Sequence, residues 1–111
     1  MARRISESAN FTNKDVFNIT GAESLESIKG STIKVVGGAL GLDVSHETGE
    51  VATGYLKDSE GNIYSTISPT AQQSIEALID MFADGEAKEV TIKVNTRKSN
   101  AGREFIVLTM L

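Results

Sequence analysis

The sequence predicts a mainly β chain with a single helix, and three patterns carry that reading. Residues 50–57 and 62–68 alternate apolar and polar positions around Asp58-Ser59-Glu60-Gly61, which is turn chemistry. Residues 89–96 alternate more cleanly, with Val90, Ile92 and Val94 set against Thr91, Lys93 and Asn95. Between them, residues 69–84 place Ala71, Ile75, Leu78, Ile79 and Phe82 on one apolar stripe at helical spacing. At 111 residues and 40% hydrophobic content the chain fits one domain with one packed core.

Residues 1–13 read as a flexible polar arm, rich in Ser, Asn and Arg, ahead of a single β-rich domain over residues 14–111. Arg3 and Arg4 have no apolar stretch behind them, so the start does not read as a secretory signal. Val16 to Thr20 reads as a strand, with Phe17 and Ile19 on one face. Leu25 and Ile28 fit a short helical turn or an irregular link. Ser31 to Val36 is β-branched and reads as a strand. Three glycines within Gly37–Gly41 then predict a bulge, a bend or a close backbone approach. Val44 to Gly49 reads as a loop. Residues 50–57 and 62–68 form a hairpin. Ser68 suits the N-cap of the helix, Pro69 its first position and Gly85 its C-terminal stop. The polar turn 97–102 joins the strand 89–96 to a last strand, 103–111, which is apolar on both faces. This order fits an OB-like five-stranded barrel with the helix between strands three and four. An α+β antiparallel sheet covered by one helix is the alternative.

Catalytic chemistry is hard to assemble from these residues. With no Cys, disulfides, thiolate metal sites and Cys nucleophiles are excluded. His46 neighbours Asp43 and Ser45, but proximity in sequence does not make a triad, and no second His offers a metal pair. Glu76, Asp80 and Asp84 recur every four residues and read as a solvated helix face. The expectation is therefore not an enzyme, with no cofactor and no metal. No apolar run reaches the roughly 20 residues of a membrane-spanning helix.

The net charge of −4 argues by itself against a phosphate-bearing partner. That charge is unevenly placed, however. Residues 61–90 hold one Lys against five Asp/Glu, whereas residues 91–111 hold four Lys/Arg against one Glu. Lys93, Arg97, Lys98 and Arg103 bracket the second hairpin, and Lys93 and Arg97 share strand parity. Aromatic rings on strands offer platforms for unpaired bases, each worth about 1–3 kcal/mol. Tyr64 faces away from Ile63 and Ile67, Tyr55 lies across the hairpin turn, and Phe105 neighbours the cations. These seven residues are the candidate nucleic-acid-binding set. A small interaction or inhibitor module that docks a host protein through its acidic helix face is the alternative from another class.

The stretch Gly61-Asn62-Ile63-Tyr64-Ser65-Thr66-Ile67-Ser68-Pro69-Thr70 resembles the single-stranded DNA-binding protein of small phages that replicate linear genomes by protein priming. The likeness continues through Leu78-Ile79-Asp80, Lys93-Val94, the turn Ser99 to Gly102, and Phe105 and Leu108. Upstream, Phe17-Asn18 and Thr32-Ile33 fall in comparable places. Between Leu40 and Val51 the family carries aromatic residues and this chain has none. The resemblance implies a protein that coats displaced single strands during phage DNA replication without sequence preference. It would act in the host cell cytoplasm, with single-stranded DNA and replication proteins as partners. It also implies that an acidic protein can hold DNA, with Tyr64 as the best candidate for base contact.

Overall fold

The computed structural model describes residues 3–46 and 49–111. In chain order the elements are β1 (Arg3–Ala9), α1 (Asn13–Phe17), β2 (Glu23–Ser24), β3 (Thr32–His46), β4 (Gly49–Asp58), β5 (Ile63–Thr66), α2 (Pro69–Ala83), β6 (Val90–Lys98) and β7 (Glu104–Met110). Two 3₁₀ turns, Asn18–Gly21 and Leu25–Ile28, flank β2. Among the described residues seven strands form one mixed sheet in the order β2-β5-β4-β3-β6-β7, with β1 also paired to β3. The sheet curls into a half-barrel, roughly consistent with the expected OB-like barrel, but its strand and helix counts exceed the five and one expected.

β3 organises the molecule, because one of its edges is shared by two partners. Thr32–Val35 pair with β6, whereas Gly38–Asp43 pair with β1. The register of β3 against β4 slips between Val35 and Gly37, at the start of the glycine stretch for which a bulge, a bend or a close backbone approach is expected. A Cβ at Gly37 would lie 2.6 Å from the backbone oxygen of Asn10, so only glycine lets β1 leave the sheet there. Asn10 itself sits at φ 55 and donates from its Nδ2 to the Val36 oxygen at 3.1 Å.

α2 forms where the stripe predicts. Its N-cap is Ser68, its first residue is Pro69, and its C-terminus closes with Gly85 N–H to Phe82 O and Glu86 N–H to Met81 O. Ala71, Ile75, Leu78, Ile79 and Phe82 are buried against one sheet face with Leu25, Val35, Leu56, Tyr64, Val90, Ile92, Val94 and Ile106. A second cluster of Ile19, Ala39, Tyr55 and Ile63 lies on the other face, and Phe11, Val16 and Ala22 pack on it. Residues 11–22 thus cover part of the face opposite α2.

Three expectations about the first half are corrected. Residues 3–9 are not a loose arm but a strand, and the Ser6 and Asn10 side chains also bond to β3. Residues 16–20 are not a strand. Thr12 and Asp15 form a reciprocal capping box that starts α1, and the chain runs on into the 3₁₀ turn. The expected loop at 44–49 is shorter: β3 runs to His46, whose backbone pairs with Gly49, and Glu47 and Thr48 lie outside the described residues.

Candidate nucleic-acid interface

In a paired antiparallel ladder, directly opposed side chains share a face, and alternate residues share it along each strand. Ile33, Val35, Val90, Ile92 and Val94 face α2. Their alternates, Thr32 and Lys34 on β3 and Thr91, Lys93, Asn95 and Arg97 on β6, therefore project from the opposite side. Thr32 opposes Lys93, and Lys34 opposes Thr91. On β7, Phe105 opposes Arg97, Val107 opposes Asn95 and Thr109 opposes Lys93, which adds three residues to that side. Arg103 continues the parity of Phe105 at the hairpin tip, where Ser99 N–H donates to its backbone oxygen at 2.8 Å.

Among the described residues of the β3–β6–β7 segment, this outer face carries Lys34, Lys93 and Arg97 and no carboxylate. All three cations are exposed, and among the described residues none of them forms an ion pair. The acids nearest in sequence are Glu89, before β6, and Glu104, on the other face opposite Lys98. Glu104 lies 3.9 Å from Lys29. The predicted cluster is thereby divided. Lys93, Arg97, Phe105 and Arg103 share one side, while Lys98 sits beside Glu104 on the other.

Phe105 is half-buried and lines a cavity of about 250 Å³ between β7 and the end of β5, with Ile67, Pro69, Thr96 and Ile106. Ile67 is 59% exposed at its rim. The carboxyl-bearing Glu26 and Glu104 also line it, so it suits the apolar faces of bases better than phosphates.

The two tyrosines are not on this surface. The expectation that Tyr64 projects outward beside the cationic tip is corrected: its ring is 9% exposed and packs in the cluster beneath α2. The parity reading holds, but the face away from Ile63 is the one α2 covers. The hydroxyl donates to Asp58 Oδ2 at 3.2 Å. Asp58 also accepts from the backbone of Glu60 and Asn62 and from Asn62 Nδ2, which fixes the β4–β5 turn. Burial, and then the Asp58 charge, push the Tyr64 phenol above its ordinary value of 10.0. Tyr55 is 3% exposed in the second cluster, its ring centroid 6.4 Å from that of Phe11.

Two surface residues escape the sequence reading. Lys34 joins the cationic face through the β3–β6 register, and its parity against Ile33 and Val35 is the available signal. Phe17, at the end of α1, is 82% exposed. The Thr12-x-x-Asp15 spacing is the signal that residues 13–17 are helical, which changes where Phe17 points.

On the far side of the molecule, Glu76, Asp80 and Asp84 are exposed along α2. Among the described residues no helix is long and apolar enough to cross a membrane, and no group of three His, Cys, Asp or Glu could hold a metal ion. The side chain of His46 lies outside the residues whose side chains are described. Compared with known families, the chain matches the model described as phage single-stranded DNA-binding protein over residues 16–111. No curated protein and no solved structure matches it.

Proposed function

The chain belongs to the phage single-stranded DNA-binding protein family, and from that premise we propose that it coats displaced strands during phage DNA replication without sequence preference. The phosphates follow Lys34, Lys93 and Arg97 along the outer face, with Arg103 and Lys98 at the tip. Bases rest against Phe105 and Val107 and reach toward the Ile67 rim. Tyr55 and Tyr64 serve the fold. The reading is of a DNA-binding protein rather than an enzyme, in keeping with its family. It works in the host cell cytoplasm, alongside replication proteins, as one unit over the matched residues.

One observation carries this reading. On a protein of negative net charge, the described residues on one face of the β3–β6–β7 segment give a half-buried aromatic ring, three cations without an ion pair among them, and no carboxylate. Phosphate contacts of this kind are independent of sequence and release counterions, so affinity must fall with salt. The test is a polarisation titration of labelled oligo-dT and of duplex DNA at two salt concentrations. Tight, salt-sensitive binding of oligo-dT, weakened in Lys93→Gln/Arg97→Gln, is the expected result. Equal binding of duplex, or no effect of the double substitution, would place the ligand elsewhere.

A further inference from the structure

Phe17 stands at the C-terminal end of α1 with 82% of its surface in solvent, while its neighbours Val16 and Ile19 pack on the sheet. It is the most exposed of the large apolar side chains of the described residues. Beside it is a depression of about 390 Å³, lined by Asn18, Thr20, Gly21, Gly61, Asn62 and Ile63. That volume falls within the range of roughly 300–1,000 Å³ seen for small-ligand sites. The lining is mixed in a particular way: one flat aromatic wall, two primary amides and two glycines. A Cβ at Gly21 or Gly61 would meet nothing within 4 Å, so neither glycine is crowded by its neighbours. Asn62 uses its Nδ2 on Asp58 Oδ2, and among the described residues its side-chain oxygen and the side-chain amide of Asn18 have no hydrogen-bond partner.

A ring to stack on and amides that both donate and accept suit a planar heteroaromatic ligand with polar edges, which is a nucleobase. Lys14 is exposed on the same short helix, three residues before Phe17 and so on the same side of it. A cation next to a stacking ring serves one nucleotide, phosphate and base together. The depression also adjoins the cationic face. The β4–β5 turn that provides Gly61 and Asn62 is bonded to β3 through Ser59 N–H and the Lys34 oxygen, at 2.9 Å. The Asp58 carboxylate of that turn is occupied by four donors, and Glu60 is its exposed carboxylate.

We propose that Phe17, with Asn18 and Asn62, forms a second base-stacking site for single-stranded DNA, separate from Phe105 and reached by strands long enough to pass the β4–β5 turn. The inference rests on the single-strand-binding reading above and extends its DNA path beyond the β3–β6–β7 face.

The protein has no Trp, so Phe17→Trp places a single indole fluorophore at the site. Titrated with long oligo-dT, this variant shows quenched indole emission. With an oligonucleotide too short to leave the cationic face, it binds without quenching. In parallel, Phe17→Ala, whose lost ring supports no core contact, keeps the wild-type circular dichroism and loses roughly tenfold or more in affinity for the long strand only. Three results overturn the proposal: indole emission that ignores long oligo-dT, Phe17→Ala affinity equal to wild type, or indole emission that shifts with protein concentration without DNA. The last would assign Phe17 to contact with a second protein molecule. If oligo-dT still binds through Lys93 and Arg97 while the Phe17→Trp variant stays silent, only this second site fails. If the wild-type protein binds no oligo-dT at all, the parent reading fails with it.

Discussion

Tyr64 has an apolar body and a polar tip, and the structure satisfies both. The ring fills the core beneath α2, and the hydroxyl meets Asp58 Oδ2, which is how a buried tyrosine is ordinarily accommodated. Removing only the hydroxyl leaves Asp58 three other donors, so Tyr64→Phe should cost about 0.5–1.5 kcal/mol in a urea melt. Removing the ring opens a cavity, and Tyr64→Ala should cost about 3–5 kcal/mol. Tyr64→Phe should bind oligo-dT as wild type does, and a clear loss of affinity in a folded variant would return the ring to the interface. The raised pKa has a sign that can be checked. The folded-state phenol titrates above 10.0, so the unfolded chain ionises first. The stability held by neutral Tyr64 is complete below that pH and is lost as pH climbs through the folded-state value. Melts in an alkaline series should show that decline in wild type and less of it in Tyr64→Phe.

Secondary elements here succeed or fail by what covers them. α1 has only five residues, too few to persist alone, and it is held by one carboxylate. Asp15 Oδ2 accepts from Lys57 Nζ at 2.7 Å and from the Thr12 backbone at 2.8 Å. Burial acts to raise the pKa of this carboxyl, but Lys57 and Thr12 outweigh it and hold the group below 3.8. Its stabilising effect is therefore present above the ordinary aspartate range and is lost as pH falls through the lowered value. Asp15→Ala should cost about 1.5–3 kcal/mol at neutral pH and flatten the acid limb of the stability profile, read by thermal melts. The bend in β3 makes a sharper contrast. Gly37→Ala drives a Cβ to 2.6 Å from a backbone oxygen and should cost about 1–3 kcal/mol. Gly54→Ala meets the Cδ1 of Ile75 at 2.7 Å, a side-chain end that can rotate away, and should cost less. The sequence made α2, the two hairpins and this bend legible, because stripe, turn residues and glycines act locally. It hid β1 and the character of residues 13–21, because Val16 and Ile19 are β-branched and the local Thr12–Asp15 capping box is completed by the distant Lys57. It also misplaced the tyrosines, since parity tells which residues share a face and not which face is covered. Here α2 and residues 11–22 cover opposite faces of β4 and β5, so both sets of alternates are inside.

At the scale of the whole molecule, the net charge of −4 says little about what either surface offers a ligand. α2 turns Glu76, Asp80 and Asp84 to solvent on one side of the sheet, and β3 and β6 turn Lys34, Lys93 and Arg97 to solvent on the other. The shortest dimension of the molecule is 22 Å. Screening at physiological salt acts over about 8 Å, so a phosphate on the cationic face is largely shielded from the acids of α2. That separation makes a quantitative forecast possible. Binding of a single strand loses affinity with salt at a log–log slope of about −0.7 per neutralised phosphate. Replacing Lys34, Lys93 and Arg97 together by Gln should shrink the slope by about 2, while circular dichroism stays that of wild type because all three side chains are exposed. Replacing Glu76, Asp80 and Asp84 by Gln, Asn and Asn changes the net charge by the same amount in the opposite direction, yet should leave the slope unaltered at physiological salt. A slope that tracked net charge in both variants would mean that the DNA senses the protein as a whole. A slope that moves only with the first set localises the strand to one face.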